Sequence, residues 1–288
     1  MTHSALTRAS APMGSIVIPA HNEAALIRRC LDTLFAGVDR SELDVIVVCN
    51  GCTDDTAEFA RSSGHPVRVL EVERGSKPAA LRLGDSAAVA FPRLYLDADV
   101  QLHGSAARPI LERLRSDAVA ARPPIAYDSD RSSPLVRRYY RARARIPAVH
   151  RALWGAGVYG LSEDGRSRFE AFPDVVADDL WVDRHFRRDE IEVVDCVPVV
   201  VAAPRRAGDL LRVLRRTYQG KREERPAERP EHGLPRTGPS VLFDLVRLVV
   251  SSPSAALDAV IYASFAIIGR IAPGSGARWE RDDSSREE

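Results

Sequence analysis

Short apolar runs alternate with segments of helical period along the first hundred residues. Four runs have β character, at residues 15–19, 44–49, 67–70 and 93–97. After the first run, apolar side chains recur at the helical i, i+3, i+4 and i+7 spacing, at Ile27, Cys30, Leu31 and Leu34. Asn22 and Thr53 are suited to cap the first and second helices, and a third helix is expected over residues 78–90. Strands separated by helices of this length predict right-handed crossovers and an α/β fold with a mainly parallel sheet flanked by helices.

The pattern is less regular in the second half of the chain. It predicts strands at residues 119–127, near Val158, at 192–194 and at 197–202. Helices are expected over residues 133–153, from Asp178 or Asp179 onward, and over 209–223. Residues 226–239 contain four prolines, which is typical of a linker, and apolar helical segments follow at 241–250 and 255–271.

These patterns divide the chain into five predicted parts. They are a disordered N-terminus (1–12), an α/β domain (13–225), a linker (226–240), a helical appendage (241–272) and a disordered tail (273–288). In the appendage, a stripe at helical spacing consists of Leu242, Leu245, Val246 and Val249. This stripe could face the core, or could form an interfacial membrane anchor together with Arg247 and Arg270. Pro253 and Asp258 interrupt the apolar stretch, which argues against a membrane-spanning helix.

Composition and charge exclude several classes of protein. The chain has 288 residues, of which 45% are hydrophobic, so it can bury a sizeable core. Its 41 Lys and Arg residues balance 40 Asp and Glu residues, so no overall field favours a nucleic-acid partner. The four cysteines are too irregularly spaced for a disulfide framework. Residues 1–12 lack an apolar segment of signal-peptide length, so we expect a cytoplasmic protein.

Polar clusters follow four successive predicted strands. They read Pro-Ala-His-Asn-Glu at 19–23, Asn-Gly-Cys-Thr-Asp-Asp-Thr at 50–56, Arg-Gly-Ser-Lys at 74–77 and Asp-Ala-Asp at 97–99. Each cluster alone could be a set of helix caps, but ligands of open α/β sheets bind at the carboxyl ends of strands. Asp97 and Asp99 could share a hard divalent cation that neutralises a diphosphate. A second such pair, Asp128 and Asp130, is more typical of a solvated turn.

Asp178 and Asp179 are the second acidic candidate. Adjacent positions on a helix point about 100° apart, so only one of the two can face a given site. We expect Asp179 to be a catalytic base and Asp178 to cap the helix or contact the acceptor. The alternative is a pair of acids that complements the helix dipole.

Six motifs, taken in order, resemble the inverting nucleotide-sugar glycosyltransferases of family 2, which have the GT-A fold. The motifs are PAHNEA, VVCNGCTDDT, RGSKPAAL, LYLDADV, VVADDLWVDRHF and LRRTYQGKR. This resemblance covers roughly residues 13–223. It implies transfer of a sugar from a nucleoside diphosphate sugar to an acceptor hydroxyl, with Mg²⁺ or Mn²⁺ as cofactor.

The resemblance also implies roles for individual residues. On the donor side these are Pro19, His21 and Glu23 in the nucleotide pocket, Asn50 and Asp54 near the base, Lys77, Arg216 and Arg222 near the diphosphate, and Asp97 on the ribose side. Asp99 would hold the metal ion, with Asp97 beside it, and Asp179 would be the base. Gly155, Gly157 and Trp181 would contact the acceptor.

Two departures from the family pattern leave questions open. Where the family usually has two aspartates followed by Gly-Ser, residues 49–52 read Cys-Asn-Gly-Cys. Asn can donate as well as accept hydrogen bonds, so the identity of the nucleotide stays open. The two cysteines fit either a redox motif or a small-residue turn, since a zinc site would need a second pair. Residues 215–222 contain no tryptophan, which argues against a processive polymerase.

Two further features have competing interpretations. Residues 155–160 match G-x-G-x-x-G, but a helical segment precedes them and a β run follows, which is the wrong order for a dinucleotide site. An acid-free segment upstream contains seven arginines, at 131, 137, 138, 141, 143, 145 and 151. It is either a solvated helix face or a patch for anionic lipid or an acceptor phosphate.

We therefore expect a metal-dependent inverting glycosyltransferase. We further expect a lipid-linked acceptor and attachment of the protein to the inner face of the membrane. One alternative is a nucleotidyltransferase, which would attack phosphorus on a similar fold. The other is a membrane-binding or nucleic-acid-binding module whose active site has decayed.

Overall fold

The structure is a computed structural model that describes residues 11–175, 177–223 and 239–271. Its strands are β1 (Gly14–Ala20), β2 (Leu43–Asn50), β3 (Val67–Val72), β4 (Arg93–Leu96), β5 (Ala120–Arg122), β6 (Ile125–Asp128), β7 (Val158–Leu161), β8 (Ile191–Val193) and β9 (Val199–Ala202). Its α-helices are α1 (Ile27–Leu34), α2 (Thr56–Arg61), α3 (Lys77–Ala87), α4 (Gly104–Ser116), α5 (Pro134–Arg143), α6 (Pro147–His150), α7 (Glu163–Arg166), α8 (Asp178–Asp183), α9 (Ala207–Glu223), α10 (Pro239–Ser251) and α11 (Pro253–Ile271).

The described chain forms two compact units. The first contains the residues up to Pro123 together with Gly157–Asp174 and Val194–Val197. The second contains Pro124–Ala156, Val175–Val193 and the residues from Pro198 onward. The predicted N-terminal segment up to residue 10, residues 226–238 of the predicted linker and the predicted tail lie outside the described residues. The division into five parts therefore stays a prediction.

The sheet of the first unit confirms the predicted α/β architecture. Its strands lie in the order β3-β2-β1-β4-β7-β5. β1 pairs in parallel with β2 and β4, and β2 with β3, whereas β7 is antiparallel to β4 and β5. The chain thus leaves β1 toward β2 and later returns on its other side as β4. The carboxyl edge beside β1 is consequently a topological switch point, where open α/β sheets bind ligands.

Packing around β1 fixes the position of α3, whose first turn belongs to that edge. Every residue of β1 is buried, as expected for a parallel strand covered on both faces. Gly84 lets α3 lie directly on the sheet, because a Cβ there would be 2.4 Å from Val17 Cγ1 and 3.1 Å from Val48 Cγ2.

The second unit is mainly helical. Its strands β6 and β9 pair in parallel, and α11 packs against α5, α9 and α10. The shared core is aromatic and aliphatic, with Tyr139, Leu210 and Phe265 among its buried residues. Buried Asp258 of α11 binds Arg138 (2.9 Å) and Arg141 (3.2 Å) of α5, so two arginines of the Arg-rich segment neutralise a carboxylate of the C-terminal helices.

Several boundaries differ from the prediction because of prolines. Pro123 and Pro124 separate β5 from β6, where one strand was expected. Pro147 divides the predicted helix over residues 133–153 into α5 and α6, since a proline cannot donate the helical hydrogen bond. The predicted caps are also wrong, because Leu26 precedes α1 and Asp55 precedes α2. Asn22 and Thr53 bind each other instead.

The predicted core stripe of α10 is wrong in register. Leu242, Val246 and Val249 are exposed, whereas Leu248 is buried and Val241 and Leu245 pack partly against the core. Within the described residues, α11 is the one helix long and apolar enough to cross a membrane, with a mean hydropathy of 1.5 and 39% of its apolar window buried.

Candidate functional site

Three loops are bound together at the carboxyl edge of the first sheet. The loop after β1 is tied to the loop after β2 by three backbone N–H groups. Thr53 N–H donates to Asn22 Oδ1 (2.7 Å), Glu23 N–H to Thr56 Oγ1 (2.8 Å) and Ala24 N–H to Asp54 Oδ2 (3.1 Å). Polar side chains that the sequence marks as a binding cluster therefore also form the frame of the site.

Asn22 lies in the left-handed backbone region, with a φ of 52°. Asn tolerates this conformation better than other residues with a Cβ, because its short side chain can hydrogen-bond locally. Here the side chain bonds to the neighbouring loop, so the unusual backbone turn and the loop contact require the same residue. The sequence pattern indicated a helix cap at this position because both uses favour Asn.

Asn50 is buried and connects all three loops. Its Nδ2 donates to the Ala20 carbonyl (2.8 Å), and its Oδ1 accepts from Ser76 N–H (3.0 Å). His21 Nδ1 donates to the Asn50 carbonyl (2.6 Å). An aspartate at this position would oppose a carboxylate to the Ala20 carbonyl, so the departure from the family pattern has a local structural reason. The role of Asn50 near a base stays a prediction.

The loop before α3 lies against the loop after β2 with no room for side chains. Gly51 has a φ of 58°, and a Cβ on it would be 2.4 Å from the Gly75 nitrogen. Gly75 in turn leaves space for the His21 ring, which is 3.4 Å from the position of its absent Cβ. Ser76 caps α3 by accepting from Ala79 N–H (3.3 Å). Backbone atoms and the α3 N-terminus thus line this part of the edge.

Lys77 and Asp97 form an ion pair just after the end of β4. Lys77 Nζ is 2.7 Å from Asp97 Oδ1, and both side chains are partly exposed. Asp97 N–H donates to the Gly157 carbonyl (2.8 Å), and Gly157, with a φ of 65°, brings its backbone close to the Asp97 carboxylate. Asp99 is exposed. The field of these carboxylates reaches α1, where burial first, and then Asp99, Asp97 and Glu23, raise the pKa of Cys30 to about 12.

Asp54 is an exposed carboxylate whose oxygens accept several hydrogen bonds. Burial alone would raise its pKa, but the Thr56 hydroxyl, Ala24 N–H and Thr56 N–H together hold the pKa below its ordinary value of 3.8. The carboxylate therefore stays charged and keeps the first two loops together. Pro19 lies buried within β1.

The second unit places Asp179 at the start of α8. Asp179 Oδ2 accepts from Gly155 N–H (2.9 Å), and its Oδ1 accepts from Leu180 N–H (2.7 Å). Asp178 is buried, and the N-cap of α8 is Ala177, so of its two predicted roles the helix cap is wrong and the acceptor contact stays a prediction. Trp181 is buried and its ring packs against His185, with 4.2 Å between ring centroids.

The structure thus brings together, within the first unit, the predicted donor residues His21, Asn50, Asp54, Lys77 and Asp97. Arg216 and Arg222 fall in α9, but their side chains lie outside the described residues. Residues 155–160 follow α6 and lead into β7, which is the predicted order of elements and not the strand-then-helix order of a dinucleotide loop. Cys49 and Cys52 are free thiols. Burial first, and then the neighbouring Cys52, raise the pKa of Cys49 to about 12.

Two acids escaped the sequence analysis, and one arginine was named there only as a member of the Arg-rich segment. Asp183 is buried and accepts from Leu153 N–H (2.8 Å), which fixes the loop that leads to Gly155. Asp85 is buried beneath β4 among two arginines and a tyrosine. Arg143 lies among tyrosines beside Gly155. For Asp183 the sequence offered one signal, because this acid lies four residues after the catalytic candidate Asp179.

Comparisons with known proteins agree with this geometry. The family model for glycosyl transferase family 2 matches residues 15–166, more than half of the chain. Glycosyltransferase AglD of Haloferax volcanii is 29% identical over 181 residues, which are 58% of this chain and 29% of that protein. Glycosyltransferase AglE of the same organism is 32% identical over 97 residues, 32% of each chain. This chain therefore spans about a third of the length of these curated relatives.

A solved structure shares the fold. The mannosyltransferase PcManGT from Pyrobaculum calidifontis, in complex with GDP-Man and Mn²⁺, has a TM-score of 0.58 at 21% identity, covering 88% of this chain and 83% of that one. This likeness confirms the GT-A-like fold that the motifs implied.

Proposed function

The chain belongs to glycosyl transferase family 2, and we propose that it moves a sugar from a nucleoside diphosphate sugar to an acceptor hydroxyl with inversion at the anomeric carbon. The main support for this proposal is the ion pair between Lys77 and Asp97. It lies at the same sheet edge as His21 and Asn50, and exposed Asp99 follows Asp97 by two residues. A cation and two carboxylates at a topological switch point suit a metal-bound diphosphate.

The acidic pair fits a divalent cation. Asp97 and Asp99 offer hard carboxylate oxygens at a surface that solvent reaches. Within the described residues no group of three or more His, Cys, Asp or Glu side chains could hold a metal ion. Mg²⁺ is typically bound by one or two carboxylates plus substrate phosphates, so two carboxylates are sufficient. When bound, Mg²⁺ or Mn²⁺ would neutralise charge on the departing diphosphate.

Asp179 is proposed as the base. Two backbone N–H groups orient its carboxylate, which would take the proton of the acceptor hydroxyl as that oxygen attacks the anomeric carbon. The bond to the nucleoside diphosphate breaks on the opposite face, so the configuration inverts. Lys77 would offer positive charge to the diphosphate, and Asp97 holds it in place until then.

Donor and metal binding are tested by thermal shift with GDP and UDP, each with and without Mn²⁺. A nucleotide that binds only the folded protein raises the melting temperature. Asp99→Ala should abolish the Mn²⁺-dependent shift, whereas Asp128→Ala, in the exposed Asp128–Asp130 turn, should preserve it. An equal loss in both variants would place the metal elsewhere. Release of a nucleoside diphosphate from the sugar nucleotide would support glycosyl transfer. Release of pyrophosphate from a nucleoside triphosphate supplied with a sugar 1-phosphate would indicate nucleotidyl transfer.

The base is tested by amide substitution. Asp179→Asn keeps the size of the side chain but cannot accept the proton, so kcat should fall by about 10²- to 10⁴-fold with donor affinity unchanged. Asp178→Asn is the matched control and should have a milder effect. Exchanged phenotypes would show that Asp178 is the base.

We also propose a peripheral location at the inner face of the membrane, with a lipid-linked acceptor. This proposal is supported by the apolar side chains exposed on the C-terminal helices. On α10 they are Leu242, Phe243, Val246, Val249 and Val250, and on α11 Leu257, Val260, Ile267, Ile268 and Ile271. Exposed Arg247 and Arg270 accompany them. Of the two acids on these helices, Asp258 is buried against arginines and Asp244 is half-buried. An apolar surface flanked by arginines is suited to an anionic lipid interface.

A further inference from the structure

Arg143, the last residue of α5, is a partly buried cation with no acidic partner among the described residues. Its Nε donates to Tyr127 Oη (2.9 Å), and that hydroxyl is the one hydrogen-bond acceptor it has there. The guanidinium carbon lies 5.1 Å from the centre of the Trp154 ring. In the same segment, Arg138 and Arg141 bind Asp258. Arg143 therefore differs from its neighbours, which are either paired or exposed.

The surroundings of Arg143 orient its free end. A guanidinium has five N–H donors, and the bond to Tyr127 uses only the one at Nε. The two terminal nitrogens form a planar fork that matches phosphate or carboxylate oxygens. Buried Tyr140 packs beside Tyr127, and buried Tyr139 packs beside Tyr140, which leaves few water molecules to screen the charge. The aromatic side chains thus hold the guanidinium in place, and no acidic side chain among the described residues neutralises its two terminal nitrogens.

The fork is close to the proposed base. Arg143 Nη2 is 3.4 Å from the position that a Cβ on Gly155 would occupy, and Gly155 N–H donates to Asp179 Oδ2. A Cβ at residue 155 would therefore be in van der Waals contact with the guanidinium. Gly155, with a φ of 88°, therefore lies beside the Arg143 guanidinium and donates its N–H to the Asp179 carboxylate.

We propose that Arg143 and Tyr127 form a subsite for a phosphate group carried by the acceptor. This inference rests on the proposed function, since it assigns an acceptor to the site of Asp179. The fork binds two phosphate oxygens, the aromatic rings hold its plane, and the acid-free segment from Arg131 to Arg151 adds positive charge that favours a dianion over a carboxylate. The acceptor class is a phosphomonoester or a diphosphate ester that also carries the hydroxyl that attacks the sugar.

Binding is measured first, without turnover. Inorganic phosphate and methyl phosphate are titrated against the full chain by calorimetry, at constant ionic strength set with NaCl. Arg143→Gln should weaken phosphate binding about 10- to 100-fold, the usual size of hydrogen bonds to charged groups. Arg137→Gln is the matched control, because Arg137 is exposed on the same helix and its loss changes the net charge equally. Phosphate binding that survives in Arg143→Gln, or acetate binding as tightly as phosphate, would overturn the proposal.

A conservative variant separates binding from folding. Arg143→Lys keeps the charge but lacks the fork, so it should fold and still bind phosphate several-fold more weakly than the wild type. Tyr127→Phe removes the Nε acceptor and should weaken binding less than Arg143→Gln. If Arg143→Lys binds phosphate like the wild type, the fork has no role.

Kinetics then identify the source of the phosphate. A polyprenyl diphosphate-linked sugar in detergent micelles and a short water-soluble phosphomonoester that carries a hydroxyl are compared as acceptors. With the true acceptor, Arg143→Gln should raise the acceptor KM about 10- to 100-fold and leave the donor KM unchanged. An equal rise in both KM values would indicate general damage. Phosphate binding without any sugar transfer would refute the proposed function while leaving the phosphate site intact.

Discussion

At the scale of single residues, loop geometry depends on side chains that bond to backbone atoms of other loops. Asn22, Asn50 and Asp54 together use hydrogen bonds that join three loops. Such residues look like helix caps or ligand contacts in sequence, because all three uses select short polar side chains. The structure distinguishes these uses, because here each side chain bonds to a backbone atom of another loop and so fixes two loops relative to each other.

Substitution of Asn22 tests this frame. Asn22→Ala should lower the free energy of unfolding by about 2 kcal/mol, because it loses the bond to Thr53 and because alanine tolerates the left-handed region less well than asparagine. Asn22→Gly loses the bond but relieves the backbone, so about 1 kcal/mol is expected. Urea unfolding of both variants measures the difference. Equal losses would mean that the backbone at residue 22 carries no strain.

At the scale of elements, α3, β4 and α7 meet at one buried carboxylate. Asp85 of α3 accepts from Arg93 (2.6 Å) and Tyr95 (2.6 Å) of β4 and from Arg166 (2.8 Å) of α7. Burial alone would raise the pKa of Asp85, but hydrogen bonds from Arg166, Tyr95 and Arg93 outweigh it and hold the pKa below 3.8. This network supports the strand that ends at Asp97.

The lowered pKa of Asp85 predicts how stability depends on pH. A carboxyl group with a depressed folded-state pKa stabilises the protein above its unfolded value of 3.8, and this contribution is lost as the pH falls through the folded value. Asp85→Asn should therefore cost about 3 kcal/mol at pH 7, since it leaves buried arginines without their partner. Urea unfolding at pH 7 and pH 3 compares the two proteins. The difference should shrink at pH 3, and a constant difference would assign the loss to packing.

The parallel half of the fold could be predicted because each of its elements carries its own period and ends in a polar cluster. The sequence alone showed polar clusters at four successive strand ends, including Asp97 and Asp99, and the sheet places these ends at the edge proposed to bind the donor. The second unit could not be read in the same way. Its proline breaks were visible at Pro147, but Arg143 and Asp183 acquire their partners only when distant segments pack together. An arginine run in sequence does not show which guanidinium lacks an acid.

At the scale of the whole molecule, the C-terminal helices have two faces with different requirements. One face covers the core of the second unit and pairs Asp258 with Arg138 and Arg141. The other exposes apolar side chains, such as Phe243 at 68% and Ile271 at 75%. Removing both helices would uncover this core and leave the two arginines unpaired, so truncation confuses folding with membrane binding. Point substitutions on the outer face avoid this problem.

The membrane proposal predicts that the outer face, and not the helices as such, gives lipid binding. The full chain should co-sediment with phosphatidylglycerol vesicles at low salt and less at high salt, because apolar insertion and arginine attraction act together.

The double variant Phe243→Ser with Ile268→Ser should bind at least tenfold less, since each exposed side chain would gain about 1.5 to 3 kcal/mol on full burial in lipid. Val89→Ser with Val200→Ser is the matched control, because both valines are exposed outside these helices. Equal sedimentation of both double variants, or no sedimentation of the wild type, would leave the outer face without a lipid partner. Arg247→Gln should mainly reduce the salt dependence, because it removes charge from an otherwise unchanged apolar surface.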